Sequence, residues 1–469
     1  MNIPSMPTFK PTFILLMAIV LAGCTAFRTP YERAPLATPT AWQNNNATNA
    51  DAIPSTSIAH SDRWWKNFDD PQLNQSIDQV LTRNHDLAGA DILVRVAKLQ
   101  AGLTAINPIF SASFGTTNSR NLRGVPDSAR SQSLTGSASY LVDFWGNLAS
   151  QRDAAEWQAL ATEQDRESIA LTLIGTTASL YWQIANAHQH IDANEQSITY
   201  SKKTLELVRV QYAAGAVSTL ELLQAEQSLT LQQANQTQLL QQLVASRAAL
   251  ALLFDGPAQA PYPERQSLSV VALPRVVAGL PSELLGRRPD LRAAELRLRN
   301  MLATNDATRT SFYPALTLTG SLGSGSSSLV NLLKNPVGTL STGLTFPFLQ
   351  WDQMQLSNQV AQATYEKGVI DFRQAFYKAL SDVEVALSAR HQFLVQGDKL
   401  AQSLDAANKI ERLYQQRYRA GAVSLRIWLD AQEAQRAAVV AVADNNLNLL
   451  TSQLNLYLAL GGDMVGVVR

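Results

Sequence analysis

QYAAGAVSTLELLQAEQSL at residues 211–229 and RYRAGAVSLRIWLDAQEAQ at residues 417–435 are two copies of one helix–turn–helix segment. Tyr212 and Tyr418 stand 206 residues apart (418 − 212), and the same offset relates Gly215 to Gly421 and Ser218 to Ser424. It also relates Pro108 to Pro314, Trp145 to Trp351 and Gly256 to Gly462. One offset that serves elements spread over the whole chain marks an internal duplication. Within each copy the glycine permits the left-handed backbone that ends a helix. The serine is placed to cap the next helix, and the valine before it to pack as a staple.

The segments flanking these turns read as very long helices. Residues 148–212 contain no proline and are dominated by Glu, Gln, Ala and Leu, all good helix formers. At 1.5 Å per residue that helix measures on the order of 100 Å. A second helix is expected over about 218–253, and the pair at about 352–418 and 424–460 repeats the design. Their polar faces are rich in Gln rather than in charge.

Before each helical pair the period shifts to two. In 133–144, Leu134, Gly136, Ala138, Tyr140, Val142 and Phe144 alternate with Thr135, Ser137, Ser139 and Asp143, with Leu141 out of phase. Phe110, Ala112 and Phe114 form the partner, and Asn118–Gln132 the polar loop. In the second copy Leu316, Leu318, Gly320 and Leu322 pair with a return strand through Leu340, Leu344, Phe346 and Phe348, around a loop at Ser324–Gly338. Hairpins at about 109–144 and 315–348, apolar on one side and small-polar on the other, suit a lipid-facing barrel. A soluble β-sandwich hairpin is the alternative. Four strands cannot close a wide barrel alone, so a membrane barrel demands several copies. No stretch after the N-terminal apolar run is long and apolar enough for a transmembrane helix.

That N-terminal run is Phe13–Leu21, preceded by Lys10 and followed by Leu21-Ala22-Gly23-Cys24. It is too short for a span and reads as a secretory signal over 1–23. Cys24 is the chain's single cysteine, so no intrachain disulfide is available. Residues 24–62, rich in Pro, Thr, Asn and Ala, read as an extended tether, and Trp64-Trp65 open the ordered chain as packing residues.

Lys and Arg total 38, Asp and Glu 38, for a formal net charge of zero, which argues against nucleic acid as a partner. The histidines are scattered, and the two of His188-x-His190 diverge on a helix, with no carboxylate at useful spacing. Catalytic motifs and phosphate loops are absent from the sequence; no enzyme activity, cofactor or metal site is expected.

Several motifs together are similar to the outer membrane factor family of TolC-like and OprM-like channels, and within it to NodT-type lipoproteins. They are LAGC ending at Cys24, Trp64-Trp65, Arg287-Arg288-Pro289-Asp290-Leu291 with Ala293-Ala294-Glu295, Phe312-Tyr313-Pro314, the turns Tyr212–Ser218 and Tyr418–Ser424, and Leu429-Asp430-Ala431-Gln432. The resemblance implies a mainly α fold with a transmembrane β-barrel: a homotrimer whose twelve strands, four per chain, form a barrel on a long α-helical periplasmic tube. It implies a first repeat at 63–256, an equatorial linker at 257–286, a second repeat at 287–462 and a tail at 463–469. Cys24 is then lipidated, the only covalent addition expected, and the chain sits among outer-membrane lipids.

The implied function is passive export of drugs or other small toxic molecules. The implied partners are a periplasmic adaptor (membrane fusion protein) and an inner-membrane resistance-nodulation-division (RND) transporter. The tips that meet the adaptor map to Gly215, Ala216, Val217 and Ser218, and to Gly421, Ala422, Val423 and Ser424. The periplasmic gate maps to Arg417, Tyr418 and Asp430. Glu433 stands where some relatives place an arginine, with Arg426 or Arg436 nearby to compensate. The alternatives are an ATP-driven protein or peptide secretion duct and a structural coiled-coil lipoprotein of the periplasm. The alternating strands disfavour the second.

Overall fold

The structure, a computed structural model, describes residues 28–33, 35–44, 63–120, 128–257, 264–268, 273 and 280–462. The signal at 1–23, Cys24, much of the tether and the tail at 463–469 lie outside the described residues. The chain runs α1 (Pro71–Arg83), α2 (His85–Thr104), β1 (Ile109–Arg120), β2 (Ser128–Val142), α3 (Asn147–Ala213) and α4 (Thr219–Leu253). It continues with the short α5 (Leu284–Arg287), then α6 (Pro289–Ser311), β3 (Ala315–Ser326), β4 (Pro336–Thr345), α7 (Trp351–Arg419) and α8 (Leu425–Ala459). The four long helices begin and end within a residue of the sequence expectation. The strands run further than expected into both loops: β1 and β2 take in Asn118–Arg120 and Ser128–Gln132, and β3 and β4 take in Ser324–Ser326 and Pro336–Gly338. Backbone pairing needs no apolar side chain, so the ladders continue beyond the point where the apolar alternation stops.

Two compact units are present, and each draws on both repeats. The first comprises Met1–Leu36, Leu93–Glu163 and Ala293–Gln374; the second comprises Ala37–Ile92, Gln164–Arg292 and Ala375–Arg469.

The first unit holds a four-stranded antiparallel sheet in the order β1-β2-β3-β4. Its register brings Phe110 opposite Ala138, Phe114 opposite Leu134, Tyr140 opposite Leu318, Gly136 opposite Leu322, and Leu316 opposite Leu344. One face is therefore Phe, Leu, Tyr, Val, Ala and Gly. On the other, Ser111 meets Ser137, Ser139 meets Thr319, and Thr319 meets Ser341. Hydroxyls bond across that second face, Ser111 Oγ to Ser137 Oγ at 2.7 Å and Ser139 Oγ to Thr319 Oγ1 at 3.2 Å. The apolar face is uncovered: Phe110 is 76% exposed and Leu340 83%. β1 and β4 are the two outer strands, so each presents one unpaired edge within the chain.

Side chains from both repeats brace the strand–helix junctions. Asn107 clamps the Leu141 backbone in both directions, donating from Nδ2 to its carbonyl at 2.9 Å and accepting its N–H at 3.2 Å. Asp143 accepts the Ala149 N–H in the first turn of α3, where an acid suits the helix dipole. Trp145 Nε1 donates to the Pro314 carbonyl at 2.7 Å while its ring meets Tyr313 edge-on. Asn147 Nδ2 donates to the Ala307 carbonyl.

The described part of the tether is docked, not free. In the first unit Thr29 donates its N–H and hydroxyl to the two Asp306 oxygens, each at 2.7 Å. Arg28 pairs with Asp153 at 3.0 Å, and Arg33 forks onto Glu295. The Arg299 guanidinium lies over the Tyr31 ring at 4.7 Å and over Trp157 at 5.2 Å. Burial, then the Glu295 charge, pushes the Tyr31 phenol up to about 12. In the second unit Glu384 accepts the Gln43 and Asn44 backbone N–H groups, and Trp42 is buried.

The core of the second unit gathers Trp64, Trp65, Leu73, Ile77, Tyr181, Trp182 and Leu454. Trp64 stacks on Tyr457 at 4.9 Å, so the tryptophan pair is indeed packing. Asp70 caps α1 by accepting from Gln72 and Leu73 N–H. Arg288 grips Asp290 through two nitrogens and also reaches Asp382 and the Ala459 carbonyl. Arg288 thus ties the start of α6 to α7 and α8.

The two-faced sheet gives a direct test. In lipid vesicles Leu340→Arg is expected to cost about 2–4 kcal/mol of folding stability near the bilayer midplane, and less toward an interface. Ser341→Arg, on the opposite face, should cost well under half as much. Equal losses in equilibrium refolding titrations would contradict the assignment of the faces.

Candidate functional site

Both turns of the second unit close by the same device. Gly215 and Gly421 hold φ of 71° and 70°. The Gly215 and Ala216 N–H groups return to the Tyr212 and Gln211 carbonyls, and those of Gly421 and Ala422 to Tyr418 and Arg417. This is the Schellman arrangement, which satisfies the last carbonyls of the incoming helix. Gly215, Ala216, Ser218, Gly421, Ala422 and Ser424 are exposed, whereas Val217 and Val423 turn half inward onto one apolar cluster. The caps differ. Ser218 and Glu221 form a capping box, with the Ser218 N–H reaching Glu221 Oε2 at 3.0 Å. Ser424 makes no side-chain cap bond, and Ile427, at the position where a carboxylate would return to the cap N–H, cannot complete the box.

Beneath the turns Leu205, Val208, Ala225, Tyr418, Leu425 and Trp428 pack together. Tyr418 stacks on Trp428 at 5.1 Å and donates its hydroxyl to Gln211 Oε1 at 2.7 Å. Glu411 Oε1 accepts from Tyr200 Oη at 2.6 Å and from Trp428 Nε1 at 3.0 Å. Burial raises the Tyr200 phenol, and its bond to Glu411 and that carboxylate's charge raise it further. Tyr418 is raised by burial and by the nearby Glu221. Both phenols therefore stay protonated and act as donors. This network joins α3, α7 and α8, and sequence reasoning missed it.

The three candidate gate residues are not brought together within one chain. Tyr418 is 5% exposed, beneath Trp428. Arg417 and Asp430 are exposed. The carboxylate of Asp430 lies 4.0 Å from Arg426 on its own helix, a contact that solvent screens strongly. Glu433 pairs with Arg436, also on its own helix, so both arginines named as compensators have an acid beside them.

The two histidines do diverge, but each finds a carboxylate distant in sequence. His188 Nε2 lies 3.0 Å from Glu264, which Arg247 also holds through two nitrogens at 2.6 Å. His190 Nε2 lies 3.0 Å from Asp444. Burial opposes ionisation of Glu264, yet its bonds from Arg247 and His188 prevail and hold the carboxyl below its usual range. No group of three or more His, Cys, Asp or Glu able to hold a metal occurs among the described residues. No described helix is long and apolar enough to cross a membrane.

The turns can be tested singly. An added Cβ at Gly421 meets nothing within 4 Å, so Gly421→Ala carries only the left-handed backbone penalty, about 1–2 kcal/mol. Amide exchange around Arg417–Ala422 should accelerate several-fold. Unchanged exchange would mean that the positive φ is not what closes the turn.

Comparison with known proteins agrees with this arrangement. The sequence model of the outer membrane efflux protein family matches residues 76–255 and 280–462. The pyoverdine export outer membrane protein OpmQ of Pseudomonas putida is 32% identical over 461 residues, covering 96% of each chain. The toxin and drug export protein A of Aggregatibacter actinomycetemcomitans is 28% identical over 97% of this chain and 98% of its own. In three dimensions the CmeC outer membrane channel of Campylobacter jejuni superposes with a TM-score of 0.85 at 23% identity, over 93% of this chain and 94% of that one. With the duplicated helical hairpins, the two-faced sheet and a match over well more than half its length, this chain belongs to the outer membrane efflux protein family.

Proposed function

We propose that three copies of this chain form the outer-membrane exit duct of a tripartite efflux system. The duct passively conducts drugs or other small toxic compounds delivered by an inner-membrane RND transporter through a periplasmic adaptor. The observation that carries the proposal is the sheet: four strands, one exposed apolar face, one hydroxyl-lined face and two open edges. Such a sheet is stable in lipid only when further strands close it. Three identical sheets then supply twelve strands, with the serines and threonines lining the lumen. The drug export in the name of one relative favours small-molecule cargo, while the toxin export in the same name fits protein secretion equally well.

The docked tether supports a lipid on Cys24. Arg28 follows Cys24 by four positions, a reach of about 14 Å at most. Arg28 and Thr29 are held by Asp153 and Asp306, each within two helical turns of a strand–helix junction. An acyl chain on Cys24 would hold the chain to a membrane leaflet.

The exposed small residues of the two turns are the proposed adaptor contacts. Arg417, Tyr418 and Asp430 are the proposed gate, with Tyr418 setting the helix from within and Asp430 presenting a carboxylate toward the other copies. Three such carboxylates around one axis repel one another and favour cations. Asp430→Ala is expected to raise the single-channel conductance and the open probability of the purified trimer; no change in either would remove Asp430 from the gate.

The partners are tested by crosslinking from Ala216→Cys and Ala422→Cys in living cells, with mass spectrometry of what is captured. The proposal predicts an adaptor together with an RND transporter. Capture of an ATP-binding-cassette transporter instead would replace small-toxin efflux with ATP-driven secretion.

A further inference from the structure

The second unit contains a cavity of about 570 Å³ bounded by α3, α4, α7 and α8, a volume typical of small-molecule sites. Gln432, from the LDAQ motif, lines it and is 2% exposed, and neither its amide oxygen nor its amide nitrogen has a hydrogen-bond partner among the described residues. A buried amide left without partners costs about 1–3 kcal/mol. The duplication does not impose this position: its counterpart in the first repeat is Glu226, which is half-buried and pairs with Arg209.

The lining specifies the chemistry. Glu411 accepts from the neutral donors Tyr200 and Trp428, Glu433 pairs with Arg436, and His190 Nε2 lies 3.0 Å from Asp444 without forming a hydrogen bond. Gln196, Asn235, Gln238 and Gln242 supply exposed amides, each both donor and acceptor, while Gln435 already donates to Asn408. Leu239, Val439 and Val440 add an apolar wall. An uncharged ring bearing hydroxyl or amide groups matches such a surface. A bare anion would face the Glu411 carboxylate, whose two partners, Tyr200 and Trp428, are neutral donors.

We propose that this cavity is a binding site for a small neutral molecule carrying adjacent hydroxyl and amide groups, with Gln432 as its central hydrogen-bonding residue. Tyr200 and Glu411 belong both to the cavity wall and to the network that seats Trp428 on Tyr418. An occupant therefore braces α3, α4, α7 and α8 in the arrangement that holds the turn cluster together.

The probe is N-acetylglucosamine, which carries both groups, measured against the purified full-length protein by equilibrium dialysis and saturation-transfer NMR. Saturable binding at one site per chain is expected, weakened at least tenfold by Gln432→Leu. That variant also removes the unpartnered amide, so its thermal midpoint should equal or exceed that of the parent. Val440→Phe, which fills the cavity and leaves Gln432 in place, should abolish binding as well and serves if Gln432→Leu does not fold. Non-saturable binding, or binding that survives both substitutions, would overturn the site. Crystals soaked with the probe that show only water at Gln432 would do the same. None of these results depends on what the duct conducts.

Discussion

A strand in hydrocarbon must give every backbone N–H and C=O to another strand, because no water is present to take them. That constraint organises this protein. β1 and β4 each keep one edge unpaired within the chain, and an apolar face with Phe110 and Leu340 exposed adjoins those edges. Neither the edges nor the face can be satisfied by residues of the same sheet. In the proposed trimer, identical edges on further copies satisfy both at once, and they also place the hydroxyl face, with its Ser111–Ser137 and Ser139–Thr319 bonds, around a lumen. The braces at the sheet base follow from the same demand. Asn107, Asp143, Trp145 and Asn147 fix where pairing stops and helix begins, so the strand register is passed to the helices without slack.

The duplication supplies the scaffold, and departures from it supply the specific chemistry. At the offset of the repeat, Tyr200 corresponds to Ala406, Glu411 to Leu205 and Trp428 to Leu222. The Tyr200–Glu411–Trp428 part of the network under the turns is thus built from residues that their counterparts cannot imitate. Glu221 against Ile427 gives one turn a capping box and leaves the other without it. The second turn has less local hydrogen bonding of its own and relies more on the Tyr418–Trp428 stack. Loss of that stack would be felt more there than an equivalent change in the first turn.

Much of this was legible in the sequence because it rests on local signals. The period-two stretches, the proline-free runs and the twin glycine turns each report backbone geometry within a few residues, and the four long helices and both hairpins stand where those signals put them. The polar strand ends were read as loop, since alternation fades where the apolar band ends although pairing does not. What stayed hidden depends on contacts between distant segments. Nothing near His188 or His190 announces Glu264 or Asp444, and nothing in the tether announces that Asp306, Glu295 and Glu384 receive it. The Trp428 network did leave a trace, an aromatic and a carboxylate breaking the repeat, which a position-by-position comparison of the two halves reveals.

The central claim is that β1 of one copy pairs with β4 of another. The most direct measurement is disulfide trapping across that seam: Ser113→Cys on β1 combined in turn with Thr339→Cys, Ser341→Cys and Gly343→Cys on β4, oxidised in outer membranes and resolved by denaturing electrophoresis without reductant. All four positions lie on the hydroxyl face, and the sheet order keeps β1 and β4 of one chain apart. The account predicts that at least one pair yields a covalent species of three chains. Oxidation that gives only single chains with every pair would contradict it.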